Sequence, residues 1–187
     1  MSKYEEIVKA AAKIFKAKGY HAATVQDIAS EVGMLKGSLY YHIQGKEQLL
    51  TEVLLSAAEV LCEGLSRMMT FDLTPEEKLR QAVLFHISAY LDREELPVFY
   101  NELGNLSAGA RMKIKAAIKD YEDIWLSILR DGAVVGVFRQ DLPPRIVLQA
   151  VFDMCNGTHK WFRPGGRLSP AEIGEVFVKI ILDGVRK

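Results

Sequence analysis

Apolar residues recur every three or four positions along almost the whole chain, the period of an α-helix with one buried face. The strict alternation of a strand is almost absent. Ile7, Ala11, Ile14 and Phe15 form a first stripe, ended by Gly19. Thr24 is placed to cap a second helix carrying Val25, Ile28, Ala29 and Val32, stopped by Gly33. A third, short helix is expected from Leu35 or Lys36 to His42. Gly45 then opens a long one through Leu49, Leu50, Val53, Leu54, Ala57, Leu61 and Leu65. After a break at 70–74, Thr74, Pro75 and Glu77 supply a cap, a first-turn proline and a first-turn acid for a helix carrying Leu79, Val83, His86, Ile87 and Tyr90. Pro97 starts a short helix. Ser107 caps a long one with Ile114, Ile118, Tyr121, Trp125 and Ile128, expected to fray at Gly132 and Gly136. Pro143 and Pro144 start another, which ends before Pro164. Ser169, Pro170 and Glu172 begin the last, with Ile173, Val176, Phe177, Ile180 and Ile181. The pattern therefore predicts an all-α chain of about nine helices, three short ones followed by longer ones.

Two helices joined by a short glycine-containing turn carry the signature of a helix-turn-helix, and an ordinary antiparallel helix pair gives the same spacing. The exposed face of the second helix separates the two. A solvated face carries Glu, Lys and Gln; residues 36–42 carry Lys36, Gly37, Ser38, Tyr40, Tyr41 and His42. Gly37 costs a helix roughly 1 kcal/mol against alanine, which makes sense where a flat surface must approach another molecule. Such a face suits phosphates and base edges.

Residues 3–50 resemble the DNA-binding domain of the TetR family of bacterial transcriptional regulators. The matching elements are Phe15 with Gly19-Tyr20, Thr24 with Ile28-Ala29, Val32-Gly33, the run Lys36 to His42, and Lys46-Glu47 with Leu49. Leu35, Ile43 and Gly45 depart from the common pattern. The resemblance implies that Thr24 caps its helix and touches a phosphate. It implies that Lys36, Gly37 and Tyr40 face base edges, and that Ser38, Tyr41, His42 and Lys46 meet the DNA backbone. It divides the chain into a helix-turn-helix domain over 1–46 and a ligand-binding and dimerisation domain over 47–187.

Charge adds little. The net charge is zero. Up to Gln48 there are seven basic against five acidic residues, a net of +2, leaving −2 for the rest. Affinity for double-stranded DNA must then rest on specific contacts rather than on a basic surface. Cys62 and Cys155 make no disulfide framework, the start lacks an apolar signal core, and no stretch approaches the ~20 apolar residues of a membrane span. A cytoplasmic protein with no membrane association is expected.

One recognition helix reads few base pairs, so a symmetric homodimer is expected. The segment Ile146 to Phe162 is apolar nearly all round and reads as buried on more than one side. With the last helix it is expected to form a four-helix interface; a single large core is the alternative. Phe99, Tyr100, Tyr121, Trp125, Trp161 and Phe162, with Glu102, Asn156 and Arg163, suit either an apolar pocket with placed polar groups or plain core.

Phe99 to Leu103, Tyr121-Glu122 with Trp125, Gly136 to Asp141, and Cys155 through Pro170 resemble the branch of the family that governs lipid and sterol-ring catabolism in response to acyl-coenzyme A thioesters. That resemblance implies a ligand site drawing on the same aromatics with Glu102, Leu103, Arg139, Asn156 and Arg163. Arg111, Lys113, Lys115, Lys119, Arg139 and Arg163 are candidates to meet the phosphates, with Arg139 and Arg163 favoured because each sits beside aromatics at a helix end, and a solvated helix face accounts equally for the lysines. No cofactor and no metal are expected. His21, His42, His86 and His159 lack metal-ligand spacing, and there is neither a Gly-rich phosphate loop nor a nucleophile elbow. A small helical enzyme, or a helical lipid or acyl-CoA carrier, remains the alternative. Neither accounts for residues 33–46.

Overall fold

The computed structural model describes residues 2–187 and, among them, nine α-helices. They are α1 (Lys3–Lys18), α2 (Val25–Glu31), α3 (Lys36–Leu39), α4 (Lys46–Met68), α5 (Pro75–Asp92), α6 (Glu95–Glu102), α7 (Ala108–Val134), α8 (Pro144–Asn156) and α9 (Pro170–Val185). Short 3₁₀ turns follow α6 and α8. The expected boundaries hold to within a few residues except at α8, which gives way to a 3₁₀ turn at Gly157, well short of Pro164, and there are three further physical differences. The first helix is not short: its 16 residues start at a Ser2–Glu5 capping box. The helix through Pro97 starts two residues earlier, at Glu95. Gly132 does not fray α7, which runs through it to Val134; the Phe138 ring occupies the place a side chain there would need.

The capping signals are realised as read. Thr24 with Asp27, and Ser169 with Glu172, form reciprocal capping boxes. Thr74 and Glu77 exchange the same bonds, at 2.8 and 3.3 Å, at the start of α5. The polypeptide packs as two compact units. One holds the residues up to Glu59 together with Arg93–Ala117, and the other holds Val60–Asp92 with Ile118–Lys187. Packing thus divides the chain differently from a cut after residue 46. The reason is that α6 lies against α1, and Val98, Leu106 and Ile114 complete a core begun by Ile7, Phe15, Ile28, Leu39, Leu49 and Leu50. Helices α4 and α7 each contribute to both units.

In the second unit α5 lies along α9, where Gly174 lets Leu84 and Ile87 approach closely, and also meets α8. The end of the chain is held by an antiparallel bridge between Phe138 and Arg186, with Arg139 N–H donating to Val185 O at 2.7 Å. Helix α8 buries one face only: Leu148, Val151 and Cys155 are inside, Phe152 and Met154 are half-buried, and Ile146 and Ala150 are exposed. The all-round apolar segment is therefore not buried on several sides within one chain. Val176 and Ile180 of α9 are likewise exposed.

Candidate functional site

The short α3 stands where it does because of the turn before it. Helix α2 ends with Val32 N–H bonded to Ile28 O and Met34 N–H to Ala29 O at 2.8 Å, around Gly33 at φ +67°. That left-handed conformation is a glycine position, and the 6→1 bond from Met34 closes the helix end. The expected helix to His42 ends at Leu39. Beyond it Tyr41 N–H bonds to Ser38 O and His42 N–H to Leu39 O, three residues back. Such bonds tighten the last turn.

Leu39 and Ile43, four residues apart, enter the core, while the residues between them are left outside. Tyr41 is 91% exposed and Tyr40 49% exposed; Lys36, Gly37 and His42 are exposed, and Ser38 is half-buried. Nothing lies within 4 Å of where a Gly37 side chain would stand, so no internal contact demands that glycine. An amine, two phenols and an imidazole project from one short segment that its own fold leaves bare.

Thr24 is engaged in its cap, accepting from Asp27 N–H at 3.1 Å and donating to Asp27 Oδ2 at 2.8 Å. Lys18, at 2.7 Å, together with Thr24 holds the Asp27 carboxyl down at about 2. Lys46 turns toward the α1–α2 turn. Its Nζ donates to Tyr20 O at 2.8 Å, Ala23 O at 2.9 Å and His21 O at 3.3 Å, and lies 4.4 Å from the Tyr20 ring centroid.

The eleven residues expected around a ligand fall in two units. Phe99, Tyr100, Glu102 and Leu103 belong to the first. There Phe99 and Leu103 pack against the core shared with α1 to α4, Tyr100 is exposed, and Glu102 accepts from Tyr20 N–H at 3.0 Å. Tyr121, Trp125 and Asn156 come together in the second unit, around a residue that sequence reasoning placed only in a helical stripe. His86 is 4% exposed. Its Nδ1 lies 2.6 Å from the Tyr121 hydroxyl and its Nε2 3.0 Å from Asn156 Oδ1. Burial holds the imidazole down at about 4, so it is neutral near pH 7. A neutral ring has one donor and one acceptor. Nε2–H donates to the Asn156 carbonyl oxygen, and Nδ1 accepts from Tyr121.

The Tyr121 phenol is raised far above its ordinary value by burial. Phe152 stacks on His86 at 5.0 Å and meets Trp125 edge-on at 5.5 Å. Burial likewise pushes the Cys155 thiol up to about 12, which leaves it an inert core group. The legible signal for His86 was its place among Leu79, Val83, Ile87 and Tyr90, because a buried imidazole needs polar partners.

Arg139 is paired with Asp141 through two bonds of 3.0 and 2.7 Å. It lines a groove of about 330 Å³ with Leu129, Arg130, Phe138, Val147 and Val185. Trp161 is exposed, Phe162 is half-buried, and Arg163 donates to Phe162 O at 3.0 Å. No described helix is long and apolar enough to cross a membrane.

Residues 7–53 match the pattern of bacterial regulatory proteins of the tetR family, and residues 72–185 match the tetracyclin repressor-like C-terminal domain. The HTH-type transcriptional repressor KstR2 of Mycolicibacterium smegmatis is 32% identical over 98% of this chain and 91% of its own length. The solved ketosteroid transcriptional regulator KstR2 of Mycobacterium tuberculosis superposes with a TM-score of 0.88 at 30% identity, covering 100% of this chain and 96% of that one. AibR, solved with isovaleryl coenzyme A and operator DNA, superposes with a TM-score of 0.88 at 26% identity over 96% and 97% of the two chains. A two-part pattern match that covers most of the chain, with relatives alike over nearly their whole length, makes the assignment plain: the chain belongs to the tetR family of bacterial regulatory proteins.

Proposed function

We propose that this chain is a ligand-responsive transcriptional repressor that holds operator DNA as a homodimer and releases it when an acyl-coenzyme A thioester binds. The carrying observation is the surface of residues 35–42. Lys36, Tyr40, Tyr41 and His42 stand exposed around the buried Leu39, on and just beyond the second helix of a helix-turn-helix. Lys36 and Tyr40 face base edges, and Gly37 lets the helix sit close to the groove floor. Ser38, Tyr41 and His42 meet phosphates, and Thr24 does so from the start of α2. Lys46 adds charge at the start of α4 while its hydrogen bonds hold the turn before α2.

The homodimer is formed through α8 and α9, whose exposed Ile146, Val176 and Ile180 find no cover within one chain. Two reading helices then address half-sites about 34–36 Å apart. The effector class follows from the likeness to AibR, whose solved complex contains isovaleryl coenzyme A, and to the two KstR2 repressors. Tyr121, Trp125 and Asn156 are buried in a closed cluster that a ligand reaching them has to open, while the groove beside Arg139 offers Leu129, Phe138, Val147 and Val185 with a cation at its edge, and Arg163 offers a second cation. A ligand shifts DNA affinity only by its differential affinity for the two states of the dimer.

The test is fluorescence anisotropy of the purified protein on duplex DNA from its own upstream region, with and without isovaleryl and longer acyl-coenzyme A thioesters, beside native mass spectrometry. The expected result is a dimer mass, saturable binding, and release by at least one thioester. Failure to bind that DNA at any salt concentration overturns the reading.

A further inference from the structure

The turn joining α1 to α2 is held from two sides. From α4, Lys46 takes the carbonyls of Tyr20, His21 and Ala23. From the far side of the sequence, Glu102 at the end of α6 accepts Tyr20 N–H at Oε1, 3.0 Å away, across 82 residues of chain. The other carboxylate oxygen, Oε2, accepts from Asn105 Nδ2 at 2.5 Å. Asn105 Oδ1 lies 2.9 Å from His21 Nε2.

The polarity of this chain of bonds is forced. An ionised carboxylate only accepts, so Asn105 must present its NH₂ to Glu102 and its carbonyl oxygen to His21, and His21 must donate from Nε2. The Tyr20 ring is fixed between Phe15, centroids 5.6 Å apart, and the Lys46 ammonium. The turn leads directly into Thr24, the cap of α2, and through α2 to the reading helix. Tyr20 and His21 lie in the region that matches the regulatory N-terminal pattern, and Glu102 and Asn105 lie in the region that matches the C-terminal domain. All four belong to one compact unit.

We propose that Glu102, oriented by Asn105, is a positioning residue for DNA binding: it clasps the α1–α2 turn and so sets where α2 and α3 stand. This rests on the DNA-binding reading above. A carboxylate accepting a backbone N–H is among the stronger hydrogen bonds, and here it is partly buried. Glutamine at 102 can still offer Oε1 to Tyr20, with the Asn105 amide turned over to accept from the new Nε2–H, whereas alanine cannot.

The experiment pairs amide hydrogen exchange with operator anisotropy on the full-length wild type, Glu102→Ala, Glu102→Gln and Asn105→Ala. In Glu102→Ala, protection is expected to fall at Tyr20 and along the turn into α2, and to stay unchanged around His86 and Tyr121 in the second unit. DNA affinity is expected to drop about tenfold, with Glu102→Gln restoring most of both. Asn105→Ala, which only releases the carboxylate from one side, gives a smaller loss in the same direction and serves if Glu102→Ala does not fold. Unchanged exchange at Tyr20 overturns the clasp. Lost protection with DNA affinity within about twofold of wild type overturns its positioning role. Wild-type protein that binds no duplex overturns the DNA-binding reading and this role together, a failure visible before any variant is made.

Discussion

Tyrosine and histidine occur in two opposite settings in this molecule. Tyr41 and His42 stand at the end of α3 with Tyr41 91% exposed. Tyr121 and His86 sit in the second unit with Tyr121 1% exposed, bonded to each other at 2.6 Å and completed by Asn156. The first pair is uncovered by its own chain. The second pair is bonded within the core, and burial keeps both groups neutral near pH 7. A buried polar network contributes to a unique packing only while every member is satisfied. The exposed side chains of the first pair add little to packing, and their use outside the chain is what the variants below test. Substitution should therefore separate the two regions cleanly: one governs binding without touching stability, the other governs stability first.

The largest expected effect tests the exposed side. Replacing Lys36 and Tyr40 together with alanine should weaken operator binding by about a hundredfold or more, since each base contact contributes ~1–3 kcal/mol and a dimer uses it twice. The melting temperature should move by no more than about 2 °C. A melting point that falls with the affinity breaks the contrast.

Acid tests the buried side. His86 titrates at about 4 in the folded chain and at 6.5 when unperturbed. The unfolded state therefore takes up a proton first as pH falls. The associated stability is fully present above pH 6.5 and is lost through the window down to about 4. The loss is about 3 kcal/mol by linkage. Urea unfolding at pH 7 and at pH 4.5 checks this; His86→Leu should flatten the dependence.

Removal of one hydroxyl gives a smaller effect. Tyr121→Phe leaves His86 Nδ1 without its donor and should cost about 1–3 kcal/mol in chemical denaturation. Tyr41→Phe, by contrast, should leave stability within about 0.5 kcal/mol of wild type. Gly37→Ala gives a small effect and the sharpest opposition. No atom lies near the added methyl group, so stability should rise by about 0.5–1 kcal/mol while operator affinity falls. Affinity that rises with stability would show that Gly37 has no part in close approach.

Much of the reading segment was legible beforehand. Gly33, the run Lys36 to His42 and the caps at Thr24, Thr74 and Ser169 act through neighbours a few residues away, so their spacing carries their meaning. The last turn of α3 was overrun because a change from four-residue to three-residue bonding leaves no mark in composition. The resemblance gave Lys46 to the DNA backbone, and the fold adds that its Nζ donates to three carbonyls 23 to 26 residues back. Glu102 read as a pocket acid beside aromatics, yet it holds the turn of the reading domain.

By itself the sequence determined the helical class, the approximate helix boundaries and the helix-turn-helix with its bare face, because periodicity and capping are local. The tertiary structure alone decided which long-range polar partners meet. It placed His86 between Tyr121 and Asn156, and it joined Glu102 to Tyr20 across 82 residues. It also drew α6 and the start of α7 into the unit of the reading helices. The physical reason is that a buried donor must find an acceptor wherever the packing of apolar faces brings one within 3 Å, and that meeting depends on the whole fold rather than on neighbours in sequence.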